Sequence, residues 1–359
     1  MGNIGLFNVS GVMDMKSEDR GITGRMNRRE FIKVSAAGAA AIGAGIGVSG
    51  CGRGEAIVPR KRLGKTDMET SILAMGGGSA LGMVEKDEDA VALIDLARRK
   101  GINFFDSSAN YGKSESRFGQ ALEPYRSEVY LGSKYELEDG PDEVMKKFER
   151  SLKRFRTDYL DVAQIHALKN MDEVEMMFVT GALETLVKLK EEGVIRYIGV
   201  SSHNHPPAMK AALEHFDFDV SLQAANASKT PFIFEFEPLP ESSFEELSIP
   251  LALEQQVGTY AFKITGQRRL IRKADEPDKA PAKELIRYGF SLPVHGIILG
   301  MSTPEHVISA CEMAASYEPM TKEEMRKWNK KLAPSANKLT LHYLDEKYKD
   351  DGGWRAHLV

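Results

Sequence analysis

Short apolar runs alternate with amphipathic ones through most of this chain. Residues 70–74 read as a strand, and 87–100 as a helix with Asp87 at its N-cap. Residues 103–106 (Asn-Phe-Phe-Asp) form a second strand, 115–122 a helix and 129–134 a third strand. Over 141–155, Val144, Phe148, Leu152 and Phe155 fall on one helical face. A fourth strand covers 161–165, the core of a helix 183–192, a fifth strand 197–201 and its helix 206–215. Strands at 220–224, 258–262 and 297–299 complete the set, with helices at 244–256, 280–291 and 304–315.

Eight strands, each followed by a helix, require parallel strands joined by crossovers. Such units close into a (β/α)8 TIM barrel or lie in an open, doubly wound sheet. Gly76-Gly77-Gly78 follows the first strand without the Gly-x-Gly-x-x-Gly spacing of a doubly wound dinucleotide fold. The barrel is therefore favoured, and it takes about 250 residues as one unit. Two stretches without periodicity, 227–243 and 263–279, leave the C-terminal ends of strands six and seven, where a barrel keeps its chemistry.

Composition adds exclusions. The chain is 42% hydrophobic and 28% charged with net charge −4, and its body has no basic block. That excludes a nucleic-acid partner, which needs clustered Lys and Arg. Two cysteines, Cys51 and Cys311, exclude a disulfide framework and any Cys-rich metal or iron–sulfur site, so no metal is expected.

The N-terminus speaks to location. Asn27-Arg28-Arg29-Glu30-Phe31-Ile32-Lys33 resembles the twin-arginine export signal, and the uncharged Ala/Gly-rich run 34–50 resembles its apolar region. That run is too short and weakly apolar for a membrane span. It ends in Val48-Ser49-Gly50-Cys51, which resembles a lipobox, so Cys51 is the expected lipidation site. The reading is a leader over 1–55, a barrel over 56–332 and a C-terminal extension over 333–359. The protein is then expected outside the cytoplasm, in the periplasm or its equivalent, delivered by the twin-arginine machinery and held to the membrane by a lipid anchor alone. Residues 1–50 hold six basic and four acidic residues, which leaves a body of 42 against 48.

Three ionisable residues stand at or just past strand ends: Asp106, Lys134 and His166. Tyr111 follows Asp106 on the next loop. In a barrel these converge on one mouth. A phenol titrates at about 10 in water, so a tyrosine proton donor benefits from tuning. The Lys134 ammonium stabilises a phenolate, Asp106 holds that ammonium, and His166 can hydrogen-bond a carbonyl oxygen. A hydride must come from a nicotinamide, because no side chain supplies one.

The motif Asn103-Phe-Phe-Asp106-Ser-Ser-Ala-Asn-Tyr111-Gly112 resembles the aldo-keto reductase signature Asp-Thr-Ala-x-x-Tyr-Gly. Leu131-Gly-Ser-Lys134, Leu160-Asp-Val-Ala-Gln-Ile-His166 and Ile198-Gly-Val-Ser201-Ser202 resemble the family's following segments, and the resemblance runs from about Pro59 to Trp328. It implies a barrel of the aldo-keto reductase type, Asp106, Tyr111, Lys134 and His166 as catalytic residues, and NADP or NAD as cofactor. It further implies that Ser201, Ser202 and Gln223 grip the nicotinamide amide, that Phe262 stacks on its ring, and that Lys263 and Ser302 serve the phosphates. Ser202 replaces the family's Asn. His306 stands where many NADP-preferring members have Arg or Gln, and Ser309-Ala310 where they have Glu-Asn, which leaves NAD and NADP both open.

The implied activity is NAD(P)-dependent interconversion of an aldehyde or ketone, sugars included, with its alcohol. A non-catalytic nucleotide-binding regulator on the same barrel is the alternative, since fold does not settle function. Export to a compartment poor in free NAD(P)H implies a cofactor retained rather than exchanged, with Lys263, Arg268, Arg269 and Arg272 as sources of phosphate contacts.

Overall fold

The computed structural model describes residues 57–229, 242–272 and 276–338. The expected leader with Arg28, Arg29 and Cys51, most of the 227–243 stretch and most of the expected C-terminal extension lie outside the described residues. Among the described residues no helix is long and apolar enough to cross a membrane.

A two-stranded antiparallel hairpin comes first, β1 (Arg60–Arg62) against β2 (Glu69–Ser71). Eight parallel strands follow: β3 (Leu73–Gly76), β4 (Phe104–Asp106), β5 (Tyr130–Glu136), β6 (Leu160–His166), β7 (Ile195–Ser202), β8 (Val220–Ala224), β9 (Gly258–Phe262) and β10 (Gly296–Leu299). They pair in chain order, and β10 closes on β3 to make a barrel without free edges. The expected barrel is thus the fold.

Helices α1 (Ser79–Gly82) and α2 (Asp87–Arg99) follow β3. Then come α3 (Ser114–Leu122), α4 (Pro141–Phe155), the pair α5 (Met171–Val179) and α6 (Ala182–Glu191), and α7 (Pro206–His215). The set continues with α8 (Ser248–Glu254), α9 (Ala282–Ser291), α10 (Pro304–Ser316) and α11 (Lys322–Leu332).

The core has two layers. Between strands and helices, apolar faces interlock; on α4 these are Val144, Phe148 and Phe155, with Leu152 at the edge. Inside the barrel, Ala74, Phe104, Val162, Leu222, Tyr260 and Ile298 fill the lumen, and Leu63 and Met68 from the hairpin turn plug its base. The turn presses against β9: Lys65 N donates to the carbonyl of Gln256 at 2.7 Å. Gly64 makes that approach possible, because its φ is +55° and a Cβ there would meet Gln256 O at 2.3 Å.

Several expected boundaries move. The run 70–74 is two strands rather than one, since Ser71 ends the hairpin and Leu73 begins the barrel. Asp87 is not the N-cap: Lys86 holds that position, and the Asp87 carboxylate instead receives Lys113 and Arg117. The helix expected over 183–192 is α6, preceded by a separate α5 and broken from it by Gly181 at φ +83°. The helix expected over 244–256 is shortened to α8, preceded by turns from Ser243.

Candidate active site

Strand register brings the four expected residues to one mouth. Gly76 pairs with Asp106, Asp106 with Gly132, Lys134 with Gln164, and Glu136 with His166. Because side chains alternate along a strand, Lys134 and Glu136 share a face, as do Gln164 and His166.

Lys134 Nζ donates to Asp106 Oδ2 at 2.5 Å and to the carbonyl of Ser107 at 2.6 Å. Both side chains are buried, at 4% and 7% exposure, so each compensates the other's lost hydration. Gln164 Nε2 donates to Asp106 Oδ1 at 3.0 Å, which occupies the carboxylate's second oxygen. Burial lowers the Lys134 ammonium below its ordinary range, and Asp106 opposes that shift.

The Lys134 ammonium lies 5.5 Å from the Tyr111 ring centre. Tyr111 Oη and His166 Nε2 are 3.4 Å apart, with the rings edge to face. The loop carrying Tyr111 is anchored from behind: Arg154 donates to the carbonyl of Ala109 and to Glu115, and Glu115 accepts from Ser133 Oγ at 2.6 Å. His166 Nδ1 lies 2.7 Å from Glu136 Oε1, which also accepts from Asn110 Nδ2 at 2.8 Å.

A groove of about 720 Å³ starts at Asp106, Tyr111 and Lys134 and runs past Ser201 and Phe262. It continues along the segment after β9 to Ser302 and His306 at the start of α10. Its wall carries cations from Lys263, Arg268 and Arg269; Arg272 does not line it. Burial, with Lys134 adding to it, pushes Lys263 down to about 7. The backbone here is held in rare conformations, with Lys263, Gln267 and Arg268 at φ +60°, +49° and +71°. At the far end, Ser302 Oγ and His306 Nδ1 are 3.4 Å apart, and Thr303 caps α10 through the His306 amide.

Of the expected cofactor residues, Ser201, Phe262, Lys263, Ser302 and His306 line the groove. Ser202 and Gln223 do not. Ser202 Oγ donates to the carbonyl of Leu168 at 2.7 Å, and Gln223 is tied at both ends, to Ser221 Oγ and from Ser248 Oγ. Those polar atoms are engaged inside the protein. His203, one residue further, lines the groove instead and packs edge-on against Phe262, with ring centres 4.7 Å apart. Burial, then the charges of Lys263, His166 and Lys134, hold His203 well below its ordinary range.

Sequence reasoning missed His203 and Glu136. The signal for Glu136 was its place two residues after Lys134 in an alternating strand. His203 directly follows the two serines at the end of β7. Among the described residues no cluster of His, Cys, Asp and Glu could hold a metal, and Cys311 is a buried free thiol.

Comparison with known proteins decides the family. The model of the aldo/keto reductase family matches residues 73–286, from β3 into α9. The chain belongs to this family. L-galactose dehydrogenase of Arabidopsis thaliana is 35% identical over 156 residues, covering 39% of this chain and 47% of that protein. The uncharacterized oxidoreductase YqkF of Bacillus subtilis is 24% identical over 298 residues, covering 74% of this chain and 94% of its own. An aldo-keto reductase from Klebsiella pneumoniae, solved in complex with NADPH, shares the fold at TM-score 0.59 and 19% identity, over 77% of this chain and 96% of that one.

Proposed function

We propose that this chain is an oxidoreductase that uses NADP or NAD to interconvert an aldehyde or ketone with its alcohol. The observation that carries the reading is the meeting of Tyr111 and His166 above the buried Lys134–Asp106 pair, at the head of a groove of about 720 Å³. Two features of the groove suit such a ligand. His203 Nδ1 and both amide atoms of Gln267 are buried without a hydrogen-bond partner, in residues that line it. Lys263, Arg268 and Arg269 offer cations for phosphates, and the start of α10 offers backbone amides.

When bound, the nicotinamide supplies the hydride. The residues of this chain handle the proton. Tyr111 donates its hydroxyl proton to the carbonyl oxygen, and Lys134 stabilises the phenolate left behind. Asp106, Gln164 and the Ser107 carbonyl fix the ammonium in place. His166 Nε2 faces the Tyr111 hydroxyl and helps set its direction. In the alcohol-oxidising direction the phenolate takes the proton back.

Sugars are a fitting substrate class. Asn110, Glu136, Glu138 and Lys169 give the mouth a polar rim that can bind hydroxyls, and one relative is a sugar dehydrogenase. The test is titration with NADPH and with NADH, read by fluorescence, followed by turnover on a panel of aldehydes, ketones and free sugars. Binding of either nucleotide with turnover of one panel member supports the reading. Absence of nucleotide binding at millimolar concentration overturns it.

We propose also that the protein is exported by the twin-arginine route and anchored through Cys51. Replacing Arg28 and Arg29 together with Lys should leave it in the cytoplasm, and Cys51→Ser should abolish lipid labelling. Normal export of the double-Lys variant contradicts the twin-arginine route.

A further inference from the structure

We propose that Glu136 is a positioning residue for His166: its carboxylate engages Nδ1 and fixes the ring, so that Nε2 is presented beside the Tyr111 hydroxyl. This inference rests on the oxidoreductase reading and deepens it.

The geometry comes from strand register. Glu136 and His166 are the last residues of β5 and β6 and are direct partners across that pair. Glu136 Oε1 is 2.7 Å from His166 Nδ1, while Nε2 on the opposite side of the ring faces Tyr111 Oη at 3.4 Å. Asn110 Nδ2 grips the same carboxylate oxygen at 2.8 Å, which ties it to the loop that carries Tyr111. One chain of contacts therefore runs from Asn110 through Glu136 and His166 to Tyr111.

A histidine without a fixed partner can carry its single proton on either nitrogen. An ionised carboxylate at Nδ1 selects one arrangement, in which Nδ1 donates and only Nε2 is available to substrate. Burial alone would raise the Glu136 carboxyl, but the charge and hydrogen bond of His166, with help from Asn110 and Lys169, outweigh burial and hold it at about 2. Glu136 is thus an anion throughout the neutral range. It is also the counterweight to the other charges here. Lys169 after β6 brings positive charge beside the same carboxylate. His203, 6.3 Å away after β7, is held neutral by burial. Tyr111 is uncharged as a donor. Glu138 is engaged by Lys169 at 3.1 Å and does not face His166. Glu136 is the anion in contact with this ring.

The test uses two variants and two readouts on the leaderless protein. Glu136→Gln keeps the shape and removes the charge. Its kcat/KM for carbonyl reduction should fall about tenfold or more below wild type. NADPH affinity should stay near wild type. Glu136→Leu removes the acceptor, and two-bond ¹H–¹⁵N spectra of the nucleotide-free protein should then show His166 losing its single Nδ1–H form. Wild-type kcat/KM in Glu136→Gln, with an unchanged His166 tautomer in Glu136→Leu, would overturn the proposal. The spectra need no turnover, so a protein that reduces no carbonyl still shows whether Glu136 governs His166, and only the activity reading then falls.

Discussion

Lys134 holds the most exacting position in the site. Its ammonium is buried with three donors and has two strong acceptors, Asp106 Oδ2 and the Ser107 carbonyl, while its charge faces the Tyr111 ring. Lys134→Met removes the cation and leaves Asp106 ionised in a buried place. We expect stability to fall by about 3–5 kcal/mol, the usual cost of orphaning one partner of a buried pair, along with a loss of turnover beyond that explained by unfolding. Chemical denaturation followed by kinetics on the folded fraction checks both, and a fully active, equally stable variant would remove Lys134 from the mechanism. Asp106, Tyr111, Lys134 and His166 are legible in the sequence because each sits in its own short motif at a strand end. Glu136 is not, because the apolar run of its strand stops near Lys134 and the last turn of strand at a barrel mouth is polar. For Ser202 and Gln223 a motif gives the position of a hydroxyl or amide, but not the contacts to Leu168, Ser221 and Ser248 that it makes in the fold.

At the scale of elements, the segment after β8 shows how the mouth is braced. Glu245 accepts from Tyr288 Oη of α9 at 2.9 Å, and Asn329 of α11 donates both to Tyr288 Oη and to the Ala227 carbonyl. Burial pushes the Glu245 carboxyl up to about 7, against the opposing pull of Tyr288 and Lys229. A raised folded-state value means the native protein binds a proton that the unfolded chain has released between about 4.5 and 7. This contribution to stability is present below that window and is lost as pH rises through about 7. Glu245→Gln, which mimics the protonated acid, should therefore raise Tm at about pH 8 and leave it nearly unchanged at about pH 4.5, read by thermal scans at both. Equal shifts at the two pH values would contradict this titration. The eight barrel strands are readable from the chain because each is a compact apolar run between polar helices. The β1–β2 hairpin is not: β1 is Arg-Lys-Arg, exposed, and only the burial of Leu63 and Met68 beneath the barrel gives it a purpose. The segment after β9 carries no periodicity because non-glycine residues there adopt left-handed conformations that no propensity signals.

At the scale of the molecule, closure of the barrel sets eight strand ends around one opening, and the groove leads from it to α10. Lys263, Arg268 and Arg269 stand along that groove, which favours slow release of an anionic dinucleotide. The purified protein should carry stoichiometric nucleotide through gel filtration, identified by mass after denaturation. Complete loss on a desalting column, with rebinding at micromolar concentration or weaker, would contradict retention. The central claim is narrower: Tyr111 delivers the proton that accompanies hydride transfer at this mouth. Its most direct measurement is a single turnover of NADPH-loaded Tyr111→Phe mixed with an aldehyde that wild type reduces, following loss of reduced-nicotinamide absorbance. NADPH should bind with wild-type affinity, and hydride transfer should be slower by about 10²–10⁴-fold. A rate equal to wild type, with nucleotide fully bound, would contradict it.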